Sequence, residues 1–167
     1  MSKILSSWSG MRKYLEQEML SESLKGRVRY GATSYVGMDG CRIFELVIDN
    51  EQIKRFSWET VNTYFIDNGF KDNPDGKYWD EYWQLLDKIP LTGRTEYTDG
   101  EFCDALKAYR NQDIKESIIS ENPLVVMFAL LDRRVGKRTL IDIKDRTLSY
   151  PLWIQKIYKI RASAENL

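Results

Sequence analysis

The stretch from Asn122 to Asp145 constrains this chain more than any other. Asn122 is a favoured N-cap residue, and Pro123 suits the first helical position, where its missing N–H would have had no intrahelical partner. Leu124 to Leu131 then supplies eight consecutive apolar residues, which cover every face of a helix. A helix apolar all round must be buried on nearly every side. It is far short of the roughly 20 residues that span a bilayer, so it reads as the centre of a soluble core. Its end is sharply polar, with Asp132, Arg133 and Arg134 ahead of Gly136, Lys137 and Arg138. The pattern predicts a Gly-assisted turn into a second helix that begins basic.

A chain of 167 residues can bury such a helix within one domain, or one domain with a subdomain. The rest of the sequence supplies the cover. Trp8, Met11, Leu15 and Met19 recur at helical spacing, so Ser7 to about Leu20 reads as an amphipathic helix whose stripe is core. From Lys25 the period changes to two. Val28, Tyr30 and Ala32 alternate with Arg27, Arg29 and Thr33, giving a half-buried strand. A turn at Gly37–Gly40 follows. Cys41 to Ile48 is apolar on both faces and reads as the middle strand. Asp49 and Asn50 tolerate the backbone of a tight turn, and Gln52 to Phe56 completes a three-stranded antiparallel meander.

Ser57 caps a helix from Trp58 to Asp67, closed by Asn68-Gly69, with Phe70 folding back. The polar turn Lys71 to Gly76 divides an N-terminal α/β part (1–70) from a helical half (71–167), the two forming one compact unit. Tyr78 to Lys88 is expected to be helical. Thr98 and Glu101 have the spacing of a capping box, which starts a helix running to about Arg110. A short helix near Asp113 to Ile119 precedes the central one. Beyond Pro151, Trp153, Ile157, Ile160 and Ala164 share the face of a last helix. The expected fold is α+β: an N-terminal helix, a three-stranded antiparallel β-meander, then an all-helical C-terminal half.

Chemistry is narrowed first by what is missing. There are no histidines, which removes Ser–His–Asp and Cys–His nucleophiles, imidazole acid–base work and His-ligated metals. Cys41 and Cys103 fit no zinc spacing and are too few for a disulfide scaffold, as expected of a reducing cytoplasm. The N-terminal MSKILSSWSGMRK has neither the apolar core nor the cleavage pattern of a secretory signal. No P-loop, dinucleotide glycine fingerprint or nucleophile elbow occurs. No cofactor or metal site is expected, and a non-catalytic role is preferred to an enzymatic one.

Three sets of residues remain as candidates. Arg133, Arg134, Lys137, Arg138 and Lys144 cluster on a helical hairpin that would suit phosphate contacts, as in a helix-turn-helix. Asp142 and Asp145 on the same hairpin would repel a nucleic-acid backbone, and a solvated basic end is the plainer account. Lys25, Arg27 and Arg29, joined by Lys54, form a second basic set on the first strand, best read as a solvated face. Tyr78, Trp79, Tyr82 and Trp83 offer an aromatic contact surface between the halves, although aromatic stripes at helical spacing usually bury. Lys71 to Trp83 fails as a calcium loop, because Lys71 and Tyr82 occupy its first and last ligand positions. Asp80, Glu81, Asp99, Glu101 and Asp104 supply carboxylates for a histidine-free enzyme, the third reading, with solvated helix faces as its alternative.

Charge is uneven along the chain. Residues 68–106 carry four basic and nine acidic side chains, and residues 107–167 twelve and seven, within a total of 25 of each sign. The two segments are expected to face one another, although the basic one would also suit a polyanion.

The segments WSGMRKYLE, SLKGRVRY, CRIFELVID, FSWETVN and ENPLVVMFALLDRRVGKRTL together resemble a family of small uncharacterised bacterial proteins. The likeness runs from about Trp8 to Glu165. It implies a bacterial cytosolic origin and a single compact unit. It carries over no functional residue. The leading expectation is therefore a cytoplasmic interaction or accessory protein with a protein partner or self-association; nucleic-acid binding comes second, and no membrane partner is expected.

Overall fold

The computed structural model describes residues 7–33, 42–69, 80–82, 84, 89 and 93–167. The Gly37–Gly40 turn, Cys41, Phe70, the Lys71–Gly76 division, most of the expected 78–88 helix, and Tyr78, Trp79 and Trp83 lie outside them.

Helix α1 (Trp8–Lys13) starts at Ser7, whose hydroxyl accepts the Gly10 amide, and continues as a π-helical turn over Tyr14–Glu18. Met11, Leu15 and Met19 are buried as the stripe requires, and Trp8 stacks on Phe44 at 4.8 Å and 11°. After a 3-10 turn at Glu22–Leu24 come β1 (Val28–Thr33), β2 (Ile43–Ile48) and β3 (Glu51–Phe56). They form an antiparallel sheet in the order β1-β2-β3, with β2 in the middle. Asp49 and Asn50 both take positive φ (53° and 65°), the backbone of a two-residue hairpin whose turn matches the strand twist.

Tyr30, Leu46 and Lys54 are cross-strand neighbours, and β3 carries one extra residue at Ile53, between the Leu46–Lys54 and Val47–Gln52 pairs. This corrects the placing of Lys54 beside Arg27 and Arg29. It shares the core face with Phe56, is only 9% exposed, and pairs with Glu96 at 2.7 Å. Burial outweighs that partner and holds its ammonium pKa below the ordinary lysine value.

The β1 edge is partly occupied. Glu16, held by Arg12 at 3.0 Å, accepts the Tyr30 amide at 2.7 Å.

Helix α2 (Trp58–Asp67) has the expected Ser57 cap, and Gly69 takes the left-handed φ of +90° behind it. Its Val61 and Phe65 form a small cluster with Tyr82. Helix α3 (Asp99–Asn111) begins with the Thr98–Glu101 capping box, both of whose hydrogen bonds form. Phe102 of α3 lies against the sheet, its ring 5.3 Å from Phe44 and 4.9 Å from Phe56. It also meets the rings of Phe128 at 5.2 Å and Tyr30 at 6.1 Å.

Phe128 belongs to α5 (Pro123–Leu131), which follows the short α4 (Ile114–Ser117). Every residue of α5 is buried, and Asn122 caps it through the Leu124 amide. Two short helices, α6 (Lys137–Asp142) and α7 (Lys144–Thr147), lead to α8 (Leu152–Ala164). The buried face of α8 is Ile154, Ile157, Tyr158 and Arg161, with Trp153, Ile160 and Ala164 half-buried beside it. The face predicted from sequence is thus rotated slightly: Ile154 and Tyr158 take its centre. One continuous set of buried side chains runs from Met11 through the sheet to Ala162. The architecture is α+β, as the sequence predicts.

Candidate interaction surface

The end of α5 sets the geometry of the basic hairpin. An all-apolar helix has four C-terminal carbonyls to satisfy, and here a short ladder takes part of the load. The Ser21 amide donates to the Leu131 carbonyl at 2.9 Å, and the Arg133 amide to the Met19 carbonyl at 2.8 Å. Asp132, between them, is buried. Its carboxylate accepts the Arg134 amide at 2.6 Å, the Arg134 guanidinium at 2.9–3.1 Å, and the Tyr109 hydroxyl. The Arg134 guanidinium also donates to the Tyr109 oxygen at 3.0 Å. Burial, reinforced by the Asp132 carboxylate, pushes the Tyr109 hydroxyl far above the ordinary phenol range.

The five hairpin cations therefore differ. Arg134 is folded back onto Asp132. Arg133, Lys137, Arg138 and Lys144 are exposed and make no salt bridge among the described residues. The helix that would enter a groove is broken at Ile143 into α6 and α7, and Asp142 and Asp145 are exposed on it. Of the aromatic set, Tyr82 is packed inside, 5.1 Å from Phe65 and 5.7 Å from Trp58. Of the five carboxylates, Glu101 and Asp104 line one groove. Glu101 serves the capping box and pairs with buried Arg94, Asp104 pairs with Lys107, and Asp80 and Glu81 face solvent. Among the described residues no group of three or more acidic or cysteine side chains could hold a metal ion.

A different region attracts attention. Six large apolar side chains stand exposed among the described residues, and four of them, Ile119, Ile141, Leu148 and Leu152, belong to the stretch 119–152. Leu148 is 68% and Leu152 80% exposed, on either side of a Ser149–Pro151 turn. That turn is held firmly. Gln155 donates to the Leu148 and Tyr150 carbonyls, the Tyr150 hydroxyl to the Ser120 carbonyl at 2.5 Å, and Arg146 to the Ile119 carbonyl at 2.5 Å. Two residues along, Asn122 lines a groove of about 300 Å³ with Leu124 of α5 and Glu101, Asp104, Ala105 and Ala108 of α3. A fixed apolar turn and an acid-rimmed groove thus lie on the same end of the molecule. The sequence carries only a slight signal for the turn, a leucine on each side of Ser149-Tyr150-Pro151.

Fold and surface together describe a small α+β protein built around one buried helix, with four of the six exposed large apolar side chains of its described residues in the stretch 119–152. The chain belongs to the SF0329 protein family, which it matches over residues 7–162. It is an uncharacterised family, consistent with the resemblance drawn from the sequence segments, and it assigns no role to any residue here. No curated protein and no solved structure matches the chain. No helix among the described residues is long and apolar enough to cross a membrane.

Proposed function

We propose that this protein is a non-catalytic cytoplasmic interaction or accessory protein, and that its contact surface is the Ile119–Leu148–Leu152 end of the helical half. The observation that carries the reading is the exposure of Leu148 and Leu152 on a turn pinned by four hydrogen bonds. Apolar side chains held out on an ordered backbone are already organised for docking, so little ordering entropy opposes a partner. The aromatic set is a weaker basis for a contact surface, because Tyr82 is used in packing. The absence of histidine, and the pairing of Glu101 and Asp104 with cations of their own, favour binding over catalysis.

The test is recovery of the tagged protein from its host at low salt, with and without nuclease, beside the double variant Leu148→Asp/Leu152→Asp. A protein partner kept after nuclease and lost in the variant is expected. A partner retained equally by the variant would remove this surface from consideration. The exposed Arg133, Lys137, Arg138 and Lys144 keep nucleic acid as a second reading. That reading requires bound nucleic acid to leave steeply as salt rises.

A further inference from the structure

Side chains from three parts of the chain that are distant in sequence gather around Asp132. Tyr14 comes from the π-helical turn after α1, Arg110 from the last turn of α3, and Arg134 from the turn after α5. The Arg110 guanidinium lies over the Tyr14 ring at 4.9 Å and donates to its hydroxyl. The Arg134 guanidinium lies over the Tyr109 ring at 5.7 Å. Arg134 spends Nε and Nη2 on Asp132 and Tyr109, which leaves Nη1 without a hydrogen bond among the described residues, on a half-exposed side chain. Charge does not balance here. Two guanidiniums and one carboxylate act on the Tyr14 hydroxyl. The oxygens of that carboxylate, Asp132, are taken by the Arg134 amide, the Arg134 guanidinium and the Tyr109 hydroxyl. Arg133 and Lys137, before and after Arg134 in the chain, are exposed and form no salt bridge among the described residues. Burial holds the Tyr14 hydroxyl above the ordinary phenol value, so at neutral pH it is an uncharged donor.

We propose that Tyr14, Arg110 and Arg134 form a binding site for a phosphate group, with Asp132 as the buried carboxylate that sets the Arg134 guanidinium. A guanidinium presents its N–H groups in a fixed plane that matches two phosphate oxygens. Asp132 is buried and Arg134 half-exposed, so the carboxylate fixes the fork without occupying its outer nitrogen. A donor already fixed in place loses little entropy when it binds. Two cations and a hydroxyl on three separate elements suit a dianion with oxygens pointing several ways better than a planar monoanion. The phosphate belongs either to a small phosphorylated molecule or to a nucleic-acid backbone, since both present the same chemistry. The site is separate from the leucine turn and does not rest on the interaction reading above.

The experiment is calorimetric titration of the full chain with inorganic phosphate, at constant ionic strength balanced with chloride. The wild type is expected to show a single saturable site. Arg110→Gln should weaken it about tenfold, the scale of one hydrogen bond to a charged group. Tyr14→Phe keeps the ring under Arg110, loses the hydroxyl, and should weaken it less. Arg138→Gln removes the same charge from exposed α6 and should bind as wild type does. Circular dichroism of all three variants should match wild type. A wild type without saturable phosphate binding overturns the proposal, and so does an Arg110→Gln variant that binds equally well. Equal weakening by Arg138→Gln also overturns it, because net charge alone would then explain the binding. A second titration, with a short DNA duplex, separates the two sources. A duplex held more tightly than phosphate and weakened by Arg110→Gln assigns the phosphate to nucleic acid. Any other result, with phosphate binding intact, assigns it to a small phosphorylated ligand.

Discussion

At the scale of single residues, Asp132 has the most consequence. It follows eight apolar residues and would ordinarily be read as the exposed end of a helix. Instead its carboxylate is inside, and Tyr109 and Arg134 complete its hydrogen bonding. Removing one partner of a buried hydrogen bond leaves the other unsatisfied, which costs more than the bond contributes net. Tyr109→Phe should lower unfolding free energy by about 1 kcal/mol, and Asp132→Ala by about 2–3 kcal/mol. Arg134 is half-exposed, so its guanidinium can return to water and limit the second loss. The double variant should lose less than the sum, because both changes act on one network. Urea unfolding of the four proteins measures this cycle; strict additivity would show that the two residues act separately.

At the scale of elements, local signals were legible and tertiary ones were not. Asn122-Pro123, Thr98 with Glu101, Ser57 and Asp49-Asn50 each encode a cap or turn through chemistry within four residues, and each forms as read. The side of the sheet that Lys54 occupies depends on Phe56 and on its Leu46 neighbour, and its partner Glu96 is distant in sequence. The candidate surface was legible only as an oddity of two leucines beside a proline turn. Aromatic weight pointed instead at residues 78–83, of which Tyr82 is packing.

The last helix shows the same dependence on distant partners. Glu165, just past α8, accepts the Ser23 hydroxyl at 2.8 Å and the Ser21 hydroxyl at 3.2 Å, and pairs with buried Arg161 at 3.2 Å. Those donors, Ser23 foremost, hold its carboxyl below the ordinary glutamate value. A carboxylate whose folded pKa is lowered stabilises the fold above its unfolded pKa of about 4.3, and that contribution is lost as pH falls through the lowered value. Glu165→Gln should therefore cost about 2 kcal/mol at neutral pH, where Arg161 is left without its anion. The gap from wild type should close as the solution is acidified below pH 4. A gap unchanged from pH 7 to pH 3 would show that the charge on Glu165 contributes nothing.

At the scale of the whole molecule, the buried set joins α1, the sheet, α3, α5 and α8 without a break. We propose on this basis that the parts on either side of the division expected near residue 71 form one folding unit. Phe102 alone touches rings of β2, β3 and α5. Unfolding should accordingly be one cooperative transition, with far-ultraviolet dichroism and tryptophan fluorescence giving the same midpoint and slope in urea. Trp8 reports on the sheet and Trp153 on the last helix, so separated midpoints would reveal two units.

Glu16 gives the N-terminal helix a second duty. By occupying the Tyr30 amide, it withdraws one of the outward hydrogen-bond donors of β1 from circulation. A three-stranded sheet without that carboxylate would be a template on which further strands could stack from other chains. The docked N-terminal helix thus works as a stopper: at the Tyr30 position the sheet has no donor left to offer a neighbour.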